Sequence, residues 1–159
     1  MKWQKTTLIT AGFLLLLYQL FKSKNMFSKI TNLNKIRPCD PFGCGSFGAK
    51  RATHIHQGID LLVNENEPIF APFDGVVLRF AIPYKDDNKY KGLLLKNGNF
   101  EVKIFYFLPI VNKGEKIKKG QIIGFAQNIA KKYSSKMQNH VHVEVAENGI
   151  TINPTNLFL

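Results

Sequence analysis

Several features are scarce in this sequence of 159 residues. Only two cysteines are present, and without a second cysteine pair a four-cysteine zinc ribbon is excluded. The chain has no internal repeat and no low-complexity segment, and beyond the N-terminal arm only the stretch 128–137 has a helical pattern. The length and these absences together indicate one domain with an appendage.

Acidic residues are missing from the N-terminal part of the chain. Residues 1–37 carry seven Lys and Arg and no acid, whereas residues 38–159 carry fifteen against eleven acids. The formal net charge of +11 therefore belongs largely to the N-terminal arm. Elsewhere the lysines are scattered, and no arginine cluster with interleaved aromatic residues is present. A nucleic acid is therefore not expected as a partner.

The N-terminal arm has the layout of a secretory signal. Lys2 and Lys5 precede an apolar run over 6–21, and lysines return after it. The run is slightly shorter than the ~20 residues of a full bilayer span, and Phe21–Asn25 offers no small-residue cleavage site. We predict an uncleaved signal-anchor over 1–24, formed by a hydrophobic helix; a cleaved signal peptide is the second interpretation and a buried core helix the third. A polar linker over 25–35 and a domain over 36–159 follow.

The two cysteines lie close together in the sequence Cys39-Asp40-Pro41-Phe42-Gly43-Cys44. Pro and Gly favour a tight loop that a disulfide closes, although free thiols have the same spacing. Beside an export signal, an oxidising compartment favours the disulfide. So small a ring adds little stability, because loop-closure entropy grows with loop length, and its use is to hold a turn rigid. We therefore expect the domain outside the cytoplasm.

After Arg51 the sequence is a succession of short strands separated by turns. Asn97-Gly98 and Asn148-Gly149 are two-residue hairpin signals. Strands at this spacing predict an all-β fold, either a sandwich or a small barrel-like sheet. The expected strands cover 59–63, 76–82, 93–96, 99–108, 122–126, 141–146 and 150–152.

All four histidines occur in two His-x-His pairs, at 54–56 and at 140–142. Alternate side chains of a strand share a face, so the second pair projects together with Glu144 while three valines face the other side. Imidazole and carboxylate groups suit a borderline divalent ion such as Zn2+, and Asp60 would complete a ligand set. The alternative is a strand with a polar, solvated face.

Four motifs resemble, in order and spacing, those of the M23 (lysostaphin-type) zinc metallopeptidases. The branch of this fold that contains leukocyte cell-derived chemotaxin-2 is resembled in particular by residues 36–51 and by the Phe105-Tyr106 and Pro109-Ile110 segments. The resemblance covers about residues 36–159 and implies an antiparallel M23-type β-sheet core. The four motifs are His56-Gln57-Gly58-Ile59-Asp60, Ala71-Pro72-Phe73-Asp74-Gly75-Val76-Val77, Lys119-Gly120-Gln121-Ile122-Ile123-Gly124 and His140-Val141-His142-Val143-Glu144.

The resemblance implies a role for each matching residue. His56, Asp60 and His142 take the positions of the zinc ligands, and three protein ligands leave a fourth position open, as in catalytic zinc sites. His140 takes the position that accepts a proton from the metal-bound water. Glu144 either orients a ligand from behind or forms a salt bridge at the rim.

The sequence also departs from the family pattern. Active members have a further histidine in a Tyr-x-His-Leu segment, and the alignment places Phe107 at that position. A phenyl ring transfers no proton and donates to no oxyanion, and loss of one such group costs on the order of 10² to 10³ in rate. The glycine-rich loop before the last motif is replaced by Lys131–Lys136. The chemotaxin branch lacks the same histidine and is regarded as non-peptidase. The alternative for Phe107 is ordinary packing, and for His54 we expect a surface role.

Three hypotheses remain at this point. The first is a zinc-binding but catalytically degenerate domain that binds a glycan, a peptide or a receptor. The second is an active zinc endopeptidase that hydrolyses peptidoglycan peptide cross-links, and the third is a structural domain whose histidines hold no metal. The missing histidine favours the first. The expected partners are a cell-wall peptide or glycan or an extracellular protein, and the membrane is contacted through the N-terminal segment unless that segment is cleaved.

Overall fold

The computed structural model describes residues 26–51 and 54–159. The predicted signal-anchor over 1–24, with its hydrophobic helix, lies outside these residues. Within the described part, no helix is both long enough and apolar enough to cross a membrane.

Most of the regular structure in the described residues is antiparallel β-sheet, as predicted. Two short helices lie wholly within the described residues, and the first of them is part of the stretch 128–137 that was predicted as helical. The strands are β1 (Ile59–Leu62), β2 (Pro68–Phe70), β3 (Gly75–Ala81), β4 (Gly92–Asn97), β5 (Phe100–Phe105), β6 (Phe107–Pro109), β7 (Lys116–Ile117), β8 (Ile122–Ala126), β9 (His140–Glu147) and β10 (Ile150–Ile152), and the helices are α1 (Ala130–Tyr133) and α2 (Thr155–Phe158).

Seven of the described strands form the larger sheet, in the order β1-β9-β5-β4-β3-β7, with β10 paired to β9 beside β1. The remaining three form a small sheet in the order β2-β8-β6. Because β9 pairs with β1 on one side and with β5 on the other, it lies inside the larger sheet. The second His-x-His pair is therefore carried on an interior strand.

Two tight turns set the register of the larger sheet. Asn148 and Gly149 both have positive φ, of 51° and 78°, and connect β9 to β10 as a two-residue hairpin requires. In the β4–β5 hairpin the turn residues are Gly98 and Asn99 rather than the predicted Asn97-Gly98, because Asn97 pairs with Phe100. The glycine supplies the positive φ of 54° at the first turn position.

The hydrophobic core lies on the valine face of β9. Val141, Val143 and Val145 are buried there, as their alternation predicted. Part of the stretch predicted as a linker is packed structure, since Phe27 and Ile30 are buried in the same core. The apolar side chains of this stretch pack in the core although the stretch is rich in polar residues.

Candidate metal centre

The strand register brings two of the predicted ligands face to face. Asp60 of β1 lies directly opposite His142 of β9. On the other side of β9, Phe105 of β5 lies opposite His142, and the two rings stack with centroids 6.0 Å apart. Directly opposed residues share a sheet face, so all three side chains project away from the valine face.

His56 reaches the same point from the segment that precedes β1. Its backbone N–H donates to the carbonyl of Ala49, and its Nδ1–H donates to the carbonyl of Ser46 over 2.8 Å. Gly58 allows this segment to approach the sheet, because a Cβ at that position would collide with the carbonyl oxygen of Val143. The ring of His56 is thus held with Nε2 pointing at the sheet.

Three electron-pair donor atoms converge at this point. Nε2 of His56 lies 3.1 Å from Oδ1 of Asp60 and 3.0 Å from Nδ1 of His142, and the last two atoms lie 2.9 Å apart. Glu144 Oε1 faces Nε2 of His142 at 3.1 Å, and since a carboxylate only accepts, that nitrogen carries the hydrogen. The lone pairs of two imidazoles and one carboxylate oxygen are therefore directed at one another. A shared cation satisfies this arrangement.

The donor set also has the composition of a divalent metal site. Within the described residues, His56, Asp60 and His142 form the group of possible ligands whose atoms all lie within 4.8 Å of one another. Tetrahedral zinc with ligands at about 2.0–2.2 Å requires ligand atoms roughly 3.3 Å apart, so little rearrangement is needed. Burial raises the pKa of Asp60, but the adjacent imidazoles of His142 and His56 hold it well below the usual value, which keeps the carboxylate ionised.

The second oxygen of Asp60 is held by two arginines. Nη2 of Arg37 and Nη2 of Arg51 each lie 2.9 Å from Oδ2. Arg37 also pairs with the carboxylate of Asp40, and its side chain is only 1 % exposed. The two guanidinium groups therefore fix the carboxylate so that Oδ1 alone faces His56.

The small ring closed by Cys39 and Cys44 holds both arginines. The predicted disulfide is present. The carbonyl of Phe42, inside the ring, accepts a hydrogen bond of 2.7 Å from Nη1 of Arg51. Asp40, also inside the ring, binds the other arginine. The rigid turn that the sequence predicted is thus connected through arginine to Asp60.

His140 lies beside the three converging donors. Its Nδ1–H donates to the carbonyl of Gln138 over 2.7 Å, which leaves a lone pair on Nε2, 3.8 Å from Oδ2 of Asp60. Burial lowers the pKa of His140, so the neutral imidazole is favoured. The arrangement suits a proton acceptor next to the candidate metal position.

The structure places Phe107 in the core and Tyr106 in the groove. Phe107 is fully buried and packs in the core, against Gly124 of the small sheet. Tyr106 has a φ of 73°, in the left-handed region, and this interrupts the strand between β5 and β6. Its ring meets the ring of His140 edge-on, with centroids 5.7 Å apart. Phe105 and Phe107 consequently do not share a face, and the groove side chain next to His140 is a phenol.

Glu144 contacts both His142 and a lysine. One oxygen faces His142, and the other accepts a hydrogen bond of 2.5 Å from Nζ of Lys103. Burial alone would raise the pKa of Glu144, but hydrogen bonds from His142 and Lys103 lower it to about 2. His54 is exposed and lies at the rim of the same groove.

The candidate metal centre forms the floor of an open groove of about 500 Å³. Aromatic and apolar side chains make up much of its wall. Tyr133 is 48 % exposed and Phe42 37 %, and their rings lie 5.9 Å apart at the rim. The wall residues are Phe42, Pro83, Tyr84, Phe105, Tyr106, Ile129, Tyr133 and Met137.

Comparison with known proteins identifies the family. Residues 54–154 match peptidase family M23. The chain belongs to this family. Leukocyte cell-derived chemotaxin-2 of Bos taurus is 39% identical over 112 residues, which cover 70% of this chain and 73% of that protein. The Mus musculus protein of the same name is 41% identical with the same coverage. The M23 resemblance predicted from the sequence motifs is therefore confirmed.

Solved structures show the M23 fold as well. The catalytic domain of the prophage-encoded M23 protein EnpA from Enterococcus faecalis, solved as a mutant, is 25% identical, with a TM-score of 0.52 and coverage of 72% of this chain and 90% of that chain. The antimicrobial peptidase lysostaphin from Staphylococcus simulans is 19% identical, with a TM-score of 0.56 and coverage of 80% and 50%. The antiparallel sheet is thus of the M23 type.

Three groups of this M23 domain were missed by the sequence analysis. They are the two arginines on Asp60 and the phenol of Tyr106. The arginines had a weak signal, because only three occur in the chain against nineteen lysines, and two of the three flank the cysteine ring. For Tyr106 no signal existed, since a positive φ at a residue other than glycine is not visible in the sequence.

Proposed function

We propose that this M23 domain binds one Zn2+ through His56, Asp60 and His142, and holds a ligand in the groove without cutting it efficiently. The convergence of two imidazole lone pairs and one carboxylate oxygen carries the proposal. Nitrogen and oxygen donors suit zinc, and three protein ligands leave one position for an external group. When bound, the ion supplies a Lewis acid that polarises an oxygen atom of water or ligand.

The inefficiency follows from the groups that surround the open position. The lone pair on Nε2 of His140 can accept a proton. Burial raises the pKa of Tyr106 to about 12, so near neutral pH the phenol donates a hydrogen bond but is no base. We infer that Tyr106, rather than Phe107, stands where a second catalytic imidazole would act. Replacing such a group costs on the order of 10² to 10³ in rate.

The proposed setting is outside the cytoplasm. The disulfide between Cys39 and Cys44 supports an oxidising compartment. We propose that the segment 1–24 anchors the domain to a membrane, or is removed to release it. The family membership supports a cell-wall peptide or glycan as the ligand, and the similarity to chemotaxin-2 supports an extracellular protein or receptor.

Metal analysis of the full-length protein tests the zinc site. We expect about one zinc per chain, bound at least about 100-fold more weakly after His142→Ala, because one of three protein ligands is lost. His54→Ala is the matched control, since that imidazole is exposed at the rim, and should leave the affinity within about twofold. A wild-type protein that takes up no zinc would leave the third hypothesis, a structural domain without metal.

An active zinc endopeptidase is the second candidate function, and the position of His140 favours it. A neutral imidazole next to the metal position is the minimum equipment for deprotonating water. Hydrolysis of purified peptidoglycan by zinc-loaded wild type and His140→Ala separates the two functions. We expect hydrolysis close to background in both proteins. Efficient hydrolysis by wild type that His140→Ala abolishes without loss of zinc would show that the degenerate assignment is wrong.

A further inference from the structure

We propose that the groove recognises a free carboxylate beside the metal position, and that the ligand is the C-terminal residue of a peptide. The inference rests on the proposed function, because the metal ion supplies part of the attraction. Two properties of the chain lead to it: the charge balance around Asp60 and a hydrogen-bond donor at Tyr106.

The charges around Asp60 cancel before any metal is bound. Asp60 and Asp40 contribute two negative charges, and Arg37 and Arg51 contribute two positive charges through direct ion pairs. Asp60 therefore has no spare charge with which to neutralise a divalent cation. The cluster is poorly solvated, with 3 % of the Asp60 side chain and 14 % of the Arg51 side chain exposed.

The remaining charged groups of the floor do not change this balance. Glu144 is paired with Lys103 over 2.5 Å, and both are neutralised by that contact. A divalent ion at the three ligands thus keeps its full positive charge. Uncompensated charge at the poorly exposed floor of the groove favours an anionic ligand over a neutral carbonyl.

A chain of phenols supplies a donor for this anion. The hydroxyl of Tyr84 donates to Tyr106 over 3.4 Å and lies 2.9 Å from the hydroxyl of Tyr133. Because the hydroxyl hydrogen of Tyr84 is donated to Tyr106, Tyr133 is the donor in the hydrogen bond between Tyr84 and Tyr133. The hydrogen of Tyr106 is then free for an acceptor in the groove. Tyr106 lines the same groove as the three candidate ligands, and its ring lies 5.7 Å from that of His140, centroid to centroid, so the phenol stands beside the metal position.

A carboxylate satisfies both properties at once. It carries the negative charge, and it is a stronger acceptor for a neutral phenol than a carbonyl oxygen is. Its two oxygens allow one to face the metal position and the other to accept from Tyr106. A peptide amide offers one uncharged oxygen and satisfies only one of the two.

The walls favour a peptide over an acidic sugar as the carrier of the carboxylate. Among the described residues that line the groove there is no Asn, Gln, Ser or Thr to bind sugar hydroxyls. Phe42, Pro83 and Phe105 instead offer partly exposed surfaces without polar side-chain atoms. Such walls suit the apolar side chain of a C-terminal residue.

The test compares two forms of one dipeptide on the full-length, zinc-loaded protein. N-acetyl-Ala-Phe with a free carboxylate and the same dipeptide as the C-terminal amide are titrated by calorimetry. We expect the acid to bind at least about tenfold more tightly than the amide, as one charge-assisted hydrogen bond supplies. In Tyr106→Phe this ratio should fall to less than about threefold. Tyr90→Phe is the matched control, because its hydroxyl binds the carbonyl of Asn128 and does not line the groove, and should keep the ratio.

Arg51 tests the charge balance separately. Arg51→Gln restores a net negative charge beside the metal position, so we expect a lower ratio of acid to amide affinity. Arg51→Lys keeps the positive charge and should retain most of the ratio, which a purely structural role of the guanidinium would not do. Zinc content is measured for every variant, so that loss of the ion is not mistaken for loss of the anion contact.

The outcomes separate the two proposals. A protein that takes up no zinc overturns both. A protein that takes up zinc but binds acid and amide equally overturns the carboxylate inference alone. A trisaccharide of galacturonic acid that binds more tightly than the dipeptide acid overturns the assignment to a peptide.

Discussion

Histidine substitutions at 106 and 107 should have opposite effects on stability and activity, because Tyr106 lines the groove and Phe107 lies in the core. Phe107 is fully buried, and its ring packs on Gly124 in the core. Phe107→His loses apolar contact there and buries a ring N–H without a partner, at a combined cost of about 3–5 kcal/mol. A domain of this kind has only about 5–15 kcal/mol of stability in total. We therefore expect a large loss of stability and no hydrolytic activity.

Tyr106→His should change the stability little. The side chain lies in the groove, and histidine adopts the left-handed backbone conformation more readily than most residues. We expect a change of less than about 1.5 kcal/mol, mainly from the lost contact with Tyr84. The new imidazole would stand beside His140, where it can transfer a proton. Any gain in peptidoglycan hydrolysis should therefore appear in this variant.

Urea unfolding, followed by circular dichroism, measures the free energy of unfolding of both variants. Phe107→Leu serves as the control for lost volume without a buried polar group, and should cost about 1–1.5 kcal/mol. Peptidoglycan hydrolysis is measured with zinc-loaded proteins. A Phe107→His protein that is as stable as wild type and hydrolyses peptidoglycan would refute the placement of the phenyl ring in the core.

Three further predictions concern the surroundings of the metal centre. Asp60→Asn should lower the zinc affinity at least about 100-fold and cost the metal-free protein about 3–5 kcal/mol, because the buried guanidinium of Arg37 and the partly buried one of Arg51 lose their carboxylate. Asp74→Asn, at an exposed carboxylate, should do neither. Chelator competition and urea unfolding measure the two effects. Because the pKa of Glu144 is lowered to about 2, its contribution to metal-free stability is complete above pH about 4.5 and is lost as the pH falls towards 2. Glu144→Gln should therefore flatten the plot of unfolding free energy against pH over this range. Parallel plots for wild type and variant would contradict the lowered pKa of Glu144. The double variant Cys39→Ser, Cys44→Ser should lose at most about 2 kcal/mol of stability, and it should also bind zinc more weakly. An unchanged zinc affinity in chelator competition would show that the ring does not position the two arginines.

The sequence predicted the residues on the floor of the groove well, because their direction depends on the alternation of side chains along a strand. Alternation along one strand is sufficient to put His140, His142 and Glu144 on one face and the valines on the other. The hairpin at Asn148-Gly149 followed from turn chemistry alone. The meeting of His56 with Asp60 needed the family motif, since residues four apart meet here only through a bend before β1.

The sequence could not predict which aromatic side chains of 105–107 face the groove, because their direction depends on one backbone angle. If 105–107 were a continuous strand, Phe105 and Phe107 would share the groove face and Tyr106 would face the other way. The φ of 73° at Tyr106 breaks this alternation. Aligning the segment on a family motif by residue order therefore selected Phe107. A left-handed residue other than glycine costs of order 1–3 kcal/mol and persists where the surroundings enforce it, often at functional sites.

The six-residue ring closed by the disulfide acts on the groove through Asp60, because it contacts the two arginines that hold one of the two carboxylate oxygens. Its closure adds at most about 2 kcal/mol to the stability of the whole domain. By contrast, breaking a buried ion pair costs about 3–5 kcal/mol, and the ring contacts both arginines that hold Oδ2. Without those arginines the carboxylate would be free to turn both oxygens towards a cation and to neutralise half of its charge. The ring therefore acts mainly on the charge and orientation of one ligand, and its removal should alter ligand preference in the groove more than it alters folding.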